Sequence, residues 1–192
     1  MALVDRDDSV LIVIDVQEGF FGDSLPPQDR EPAARALARM TWLARLASLL
    51  AVPAVLTEED PGSNGPALPA IAELFGDSPA QVKPTFGLTG TPEILARVEA
   101  TGRGTAVLVG FETDVCVAQS AVGLKDRGMR VVVPEDAVFS PGEMHARGLA
   151  RMTAEGVELS HCKGLAYEWT RTLEESRRVL GSPELGEAPF RL

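Results

Sequence analysis

The sequence predicts an α/β fold, a single domain on a doubly wound, mainly parallel sheet of about six strands with helices on both faces. Three observations lead there. Val10–Ile14 and Thr105–Val109 are short, continuous apolar runs rich in β-branched residues, as in strands buried on both faces. Such runs alternate along the chain with amphipathic stretches of helical period, the pattern of βαβ units. Residues able to do chemistry fall just after the runs, where open α/β sheets gather functional groups.

Val10–Ile14 is the first strand. A loop over Gln17–Glu31 follows, punctuated by Gly19, Gly22, Pro26 and Pro27. Pro32 suits a helix first turn, and that helix runs to about Ala51. Its apolar face is Ala36, Met40, Leu43, Ala47 and Leu50, with Arg35 and Arg39 away from it. Pro53–Thr57 is the second strand, Glu58–Pro69 a loop, Ala70–Phe75 a short helix and Gln81–Lys83 a third strand. Pro92 opens a helix ending near Thr101–Gly102. Thr105–Val109 is the fourth strand, Val117–Arg127 a helix and Met129–Val133 the fifth strand. A helix over Glu143–Glu155, a sixth strand at Val157–Leu159 and a helix over Leu165–Leu180 complete the order. That last helix has Ala166, Trp169, Leu173, Ser176 and Leu180 on one face. The expected domain is 1–192, with its core at about 10–180 and a polar tail over 181–192.

The 192 residues carry 18 Lys and Arg against 28 Asp and Glu, a net charge of −10. That balance argues against nucleic acid or an anionic membrane as the main partner. No apolar run is long enough to span a bilayer. Asp5, Arg6, Asp7 and Asp8 spoil the opening residues as a signal-peptide core. Cys116 and Cys162, the two cysteines, do not make a disulfide framework, so a reduced, cytoplasmic protein is expected.

The stretch Gly110–Ala121, GFETDVCVAQSA, places Cys116 between a strand and a helix, with Thr113 or Asp114 as N-cap. A thiol at a helix N-terminus is expected to have a lowered pKa, and the thiolate is its reactive form. The stretch alone leaves two readings open, a nucleophile and a small apolar filler. Asp15, closing the first strand, reads as a general base or as a loop-capping residue. Lys83, before Pro84, reads as a cation holding nearby anions or as a surface lysine. All three fall at strand carboxyl ends, which favours function for the set.

The order of strand-end Asp15, strand-end Lys83 and then Gly110-x-x-Thr113-Asp114-x-Cys116-Val117 resembles the isochorismatase-like cysteine hydrolases, which include nicotinamidases and N-carbamoylsarcosine amidases. The resemblance runs from about Val10 to about Arg178 and implies a Rossmann-like fold. It implies Asp15, Lys83 and Cys116 as a catalytic triad. It also implies a cis peptide between Phe111 and Glu112, and an oxyanion site formed by the backbone N–H groups of Glu112 and Cys116. Phe20 stands where relatives place an aromatic against the substrate. Phe86 and Phe21 could line the same cavity. The Glu112 side chain could face the pocket or turn from it. A homo-oligomer, a dimer or tetramer, is implied as well, with apolar surface expected from Trp169, Leu173 and the tail.

Two departures narrow the implied activity. Metal-dependent nicotinamidases carry histidines after the second strand, where this chain has Thr57-Glu58-Glu59-Asp60-Pro61. Those carboxylates could bind a hard cation, but a solvated acidic loop is the preferred reading, so no metal and no cofactor are expected. True isochorismatases lack the cysteine, which disfavours that reaction. Cys162, after the sixth strand, reads as structural. The expected function is therefore cysteine-dependent hydrolysis of a C–N bond in a small amide, imide or carbamoyl compound, through a thioester. The alternatives are hydrolysis of another bond at the same site, or a catalytically silent flavodoxin-like binding or scaffold module.

Overall fold

A computed structural model describes residues 2–76 and 78–192. Seven strands form one parallel sheet: β1 (Ser9–Ile14), β2 (Ala54–Glu59), β3 (Gln81–Lys83), β4 (Thr105–Phe111), β5 (Arg130–Pro134), β6 (Val138–Phe139) and β7 (Glu158–Ser160). Their order is β3-β2-β1-β4-β5-β7, and β6 pairs with the end of β4. The eight α-helices among the described residues are α1 (Pro27–Leu49), α2 (Pro61–Asn64), α3 (Pro69–Ala72), α4 (Pro92–Glu99), α5 (Ala118–Lys125), α6 (Met144–Ala154), α7 (Cys162–Thr170) and α8 (Leu173–Leu180).

Every residue of β1 and β4 is buried, which is why those runs are continuously apolar. Their side chains still alternate between two cores. Leu11, Val13, Val107, Val109 and Phe111 pack with α1, α7 and α8. Val10, Ile12, Ile14, Ala106 and Leu108 pack with α4, α5 and α6. In register, Ile14 of β1 faces Gly110 of β4. Gly110 has φ +130°, and a Cβ there would lie 2.0 Å from the Ile14 carbonyl oxygen, so only glycine lets the two strands close.

Several expectations need correction. The helix expected from Pro32 begins at Pro27, with Pro32 inside it. Pro27 fits a helix start, and Pro32 interrupts only one early hydrogen bond near the surface. Arg39, off the apolar face, is nonetheless half-buried and pairs with Asp136 at 3.2 Å. β2 runs two residues beyond the expected end, to Glu59, and the following loop contains the single turn α2. The two-residue strand β6 is too short to register as a pattern in the sequence. The last helix is broken: Arg171 has φ +62°, separating α7 from α8. Trp169 is buried in the core while Leu173 is 75% exposed, so the two share no face and Trp169 offers no surface to a partner.

Candidate active site

The carboxyl ends of four adjacent strands converge. Asp15 follows β1, Glu59 ends β2, Lys83 ends β3, and the turn after β4 carries Cys116. Asp15 adopts a left-handed conformation with φ +50°, which aspartate tolerates better than most residues. Its Oδ1 accepts a hydrogen bond from the Thr57 hydroxyl at 2.8 Å. Its Oδ2 lies 2.6 Å from Lys83 Nζ, and both side chains are fully buried. Lys83 also donates to the Thr85 carbonyl at 3.1 Å. The Cys116 thiol donates to Glu59 Oε2 at 3.1 Å. Glu59 Oε2 is 3.9 Å from Lys83 Nζ. The structure thus brings the three sequence-derived candidates together and adds a fourth residue.

Burial pushes the Asp15 carboxyl above its ordinary range, against the Lys83 charge and hydrogen bonds from Lys83, Thr57 and Cys116. Burial also pushes the Cys116 thiol up, helped by the Asp15 carboxylate and by hydrogen bonds to Glu59 and Asp15; Lys83 opposes this only in part. The expected lowering of the thiol pKa is therefore overturned. Burial and two neighbouring carboxyl groups push the thiol up where one ammonium and a helix terminus would lower it.

The thiol sits on a π-helical turn, Thr113–Val117, that leads into α5. Neither Thr113 nor Asp114 caps it; Glu112 occupies the N-cap position without a side-chain bond. Instead Thr113 Oγ1 pairs with His145 Nδ1 at 2.9 Å, and Asp114 Oδ1 accepts from the Ser140 hydroxyl at 2.6 Å. The Phe111–Glu112 peptide is cis. A Cβ on Gly148 of α6 would fall 2.7 Å from Asp114 Cα, so α6 lies directly against the turn. The Glu112 side chain is half-buried, and its carboxyl is held above the usual range by burial, Asp114 and Glu59.

The acidic stretch Glu58–Asp60 is not a solvated loop as a whole: Glu58 and Glu59 end β2 and are half-buried, and only Asp60 is exposed. Glu58 Oε1 accepts from the Ala67 amide at 2.7 Å, Asp60 Oδ2 accepts from the Ser63 hydroxyl at 2.7 Å, and Glu59 joins the site. The buried side chain of Gln17 clamps the Glu59 backbone on both sides. Its Oε1 accepts from the Glu59 amide at 2.7 Å and its Nε2 donates to the Glu59 carbonyl at 3.0 Å. Asn64 Nδ2 donates to the same carbonyl at 3.0 Å. Sequence reasoning missed Glu59 and Gln17; extending the second strand by two residues would have put Glu59 at a strand end beside Asp15.

One ligand atom each from Asp15, Glu59 and Cys116 lie within 4.8 Å of one another, the spacing a metal ion requires. The Lys83 ammonium already neutralises Asp15 there, which suits proton sharing better than metal ligation. Phe20 and Phe21 are half-buried on the core, and the Phe21 ring packs tilted against Phe111, with centroids 4.4 Å apart. Phe86 is 52% exposed and does not close a cavity within one chain. Cys162 is fully buried at the start of α7, where its amide donates to Asp136 at 2.8 Å, as a structural residue would be. A separate cleft of about 660 Å³, lined by Asp5, Arg6, Trp169 and Arg171 among others, lies at the opposite end of the sheet.

Residues 9–162 match the isochorismatase domain. Isochorismatase domain-containing protein 2 of Rattus norvegicus is 30% identical, covering 96% of this chain and 87% of its own. The crystal structure of the YcaC gene product of Escherichia coli, described as an octameric hydrolase of unknown specificity, superposes with a TM-score of 0.81. It is 26% identical over 94% of this chain and 88% of that one. YcaC from Pseudomonas aeruginosa, solved with hexane-2,5-diol and covalent acrylamide, gives a TM-score of 0.79 at 28% identity, covering 93% of this chain and 90% of that chain. With the domain matched over most of its length and the fold shared throughout, this chain belongs to the isochorismatase family.

Proposed function

We propose that the protein is a hydrolase that cleaves a C–N bond in a small amide, imide or carbamoyl compound through a thioester on Cys116. The observation that carries this reading is the cluster of a thiol, two carboxyl groups and an ammonium at four strand ends. Asp15 accepts the thiol proton as sulfur attacks the carbonyl carbon. The backbone N–H groups of Glu112 and Cys116 hold the oxyanion. The C–N bond breaks, the amine leaves with the proton from Asp15, and water activated by Asp15 then hydrolyses the thioester. Lys83 balances the Asp15 charge throughout. Because its surroundings push the thiol above its ordinary value, nucleophile formation is coupled to substrate arrival, and the proton belongs to the Asp15–Cys116 pair.

The covalent acrylamide on the Pseudomonas aeruginosa relative supports a reactive nucleophile in this family. The octameric Escherichia coli relative supports a homo-oligomer, to be checked by light scattering. Phe20 is proposed to contact substrate from its half-buried position, and Phe86 could do so only with a neighbouring subunit covering it.

The test is ammonia release from a panel of small amides, ureides and hydantoin-derived acids, with and without exhaustive chelation. Turnover of at least one compound is expected, unchanged by EDTA and abolished by Asp15→Asn. Turnover that survives Asp15→Asn, or that is lost to EDTA and restored by zinc, would overturn the mechanism.

A further inference from the structure

Any carbonyl carbon attacked by Cys116 must come within about 3–3.5 Å of Sγ, so its substituents fall beside whatever else touches that sulfur. That neighbour is Glu59, whose Oε2 lies 3.1 Å away. We propose that Glu59 sets specificity: the site takes neutral or cationic amides and ureas that offer an N–H next to the scissile carbonyl, and rejects compounds with a carboxylate there. The proposal rests on Cys116 as the nucleophile.

Charge and position support it. Lys83 sits 2.6 Å from Asp15 but 3.9 Å from Glu59, so its charge is spent chiefly on Asp15. Glu59 is thus the carboxyl group nearest the sulfur and the one that the Lys83 ammonium approaches less closely. Glu59 is also held in place. Gln17 and Asn64 fix its backbone, and Gly19 leaves room for this, since a Cβ there would lie 2.8 Å from the Asn64 carbonyl oxygen. A fixed carboxylate can accept an N–H bond and repel an anion at one place, so selection works both by attraction and by repulsion.

Two alkylating reagents of similar size test this without knowing the substrate. In each, an S–C bond forms with Cys116, the C–I bond breaks, iodide leaves with its electron pair, and the thiol proton passes to a carboxylate and then to solvent. Iodoacetamide is neutral and carries an N–H₂; iodoacetate carries a carboxylate. Modification of Cys116 is followed by peptide mass, with glutathione as the free-thiol reference. In the wild type, the iodoacetamide-to-iodoacetate rate ratio should exceed the glutathione ratio by about tenfold or more. Glu59→Gln, which keeps the shape, should bring it back to the reference or below, because Lys83 then faces the reagent with less competition. Glu59→Asp should keep the preference for the neutral reagent. A wild-type ratio equal to glutathione's, or a Glu59→Gln ratio unchanged from wild type, overturns the proposal. Failure of both reagents to modify Cys116 overturns it together with the nucleophile. A charge-dependent ratio without amide turnover leaves the selection standing and sinks only the hydrolase reading.

Discussion

Lys83 reaches past one intervening strand to place its ammonium 2.6 Å from the Asp15 carboxylate, with neither side chain touching solvent. Breaking such a pair on one side leaves a buried charge without a partner. Lys83→Met should therefore destabilise the protein by about 3–5 kcal/mol at neutral pH in urea denaturation. Adding Asp15→Asn should recover a large part of that loss, since the neutral pair needs no compensation. The sign with pH follows from the raised Asp15 carboxyl. The native state keeps a proton there that the unfolded chain has lost, so this group erodes stability as pH rises from the ordinary carboxylate value to the raised one. Removing Lys83 raises it further, so the Lys83→Met deficit should shrink on acidification. Equal deficits at pH 5 and pH 8 would contradict this.

The two cysteines predict a loss of stability in alkali. Burial holds both thiols above their ordinary value, so above about pH 9 the unfolded chain sheds protons the native state retains. Stability should fall by up to about 1.4 kcal/mol per pH unit for each thiol. Comparing urea midpoints of the wild type and Cys116→Ser at pH 8 and pH 10 checks this: the serine variant should show the shallower decline.

Turnover should separate the same residues. Cys116→Ser is expected to lower kcat/KM by about a thousandfold or more while leaving the circular dichroism spectrum intact. Cys162→Ser should leave kcat/KM within about twofold but lower stability by about 1–3 kcal/mol, because it buries a hydroxyl among apolar groups. The reverse pattern would transfer the nucleophile to Cys162.

Gly148→Ala tests the support beneath Cys116. Its new methyl would press on the backbone of Thr113 and Asp114, two to three residues from the thiol. Overpacking of this kind costs about 1–3 kcal/mol. The expected signature is a fall in kcat exceeding what the lost folded fraction explains, measured well below the melting transition. A fall in stability alone would mean that α6 yields and the turn does not.

The fold was legible because β1 and β4 are buried on both faces, and a strand so placed demands an unbroken run of residues such as Val, Ile and Leu. Asp15 and Lys83 were legible because each closes a strand-like segment, and Cys116 because it lies on the turn between a strand and a helix. Glu59 was not, because β2 changes character at Thr57: its last residues are polar while still paired to β3, and alternation disappears where the strand enters the site. The thiol's charge state was hidden for the same reason, since it depends on Glu59 and on burial. The break at Arg171 was hidden because the apolar spacing of α7 and α8 is continuous through a residue whose φ is positive.

β3 is three residues long, lies at the sheet edge and is zipped to β2 alone among the named strands. Edge segments with so few partners fray at a free energy well below that of the whole molecule. When β3 frays it takes Lys83 with it, and the Asp15 carboxylate must then hold a proton or find water. On that expectation Lys83 leaves the cluster before β1 and β4 open, so the arrangement at the strand ends is lost at the margin of a fold whose centre is still intact.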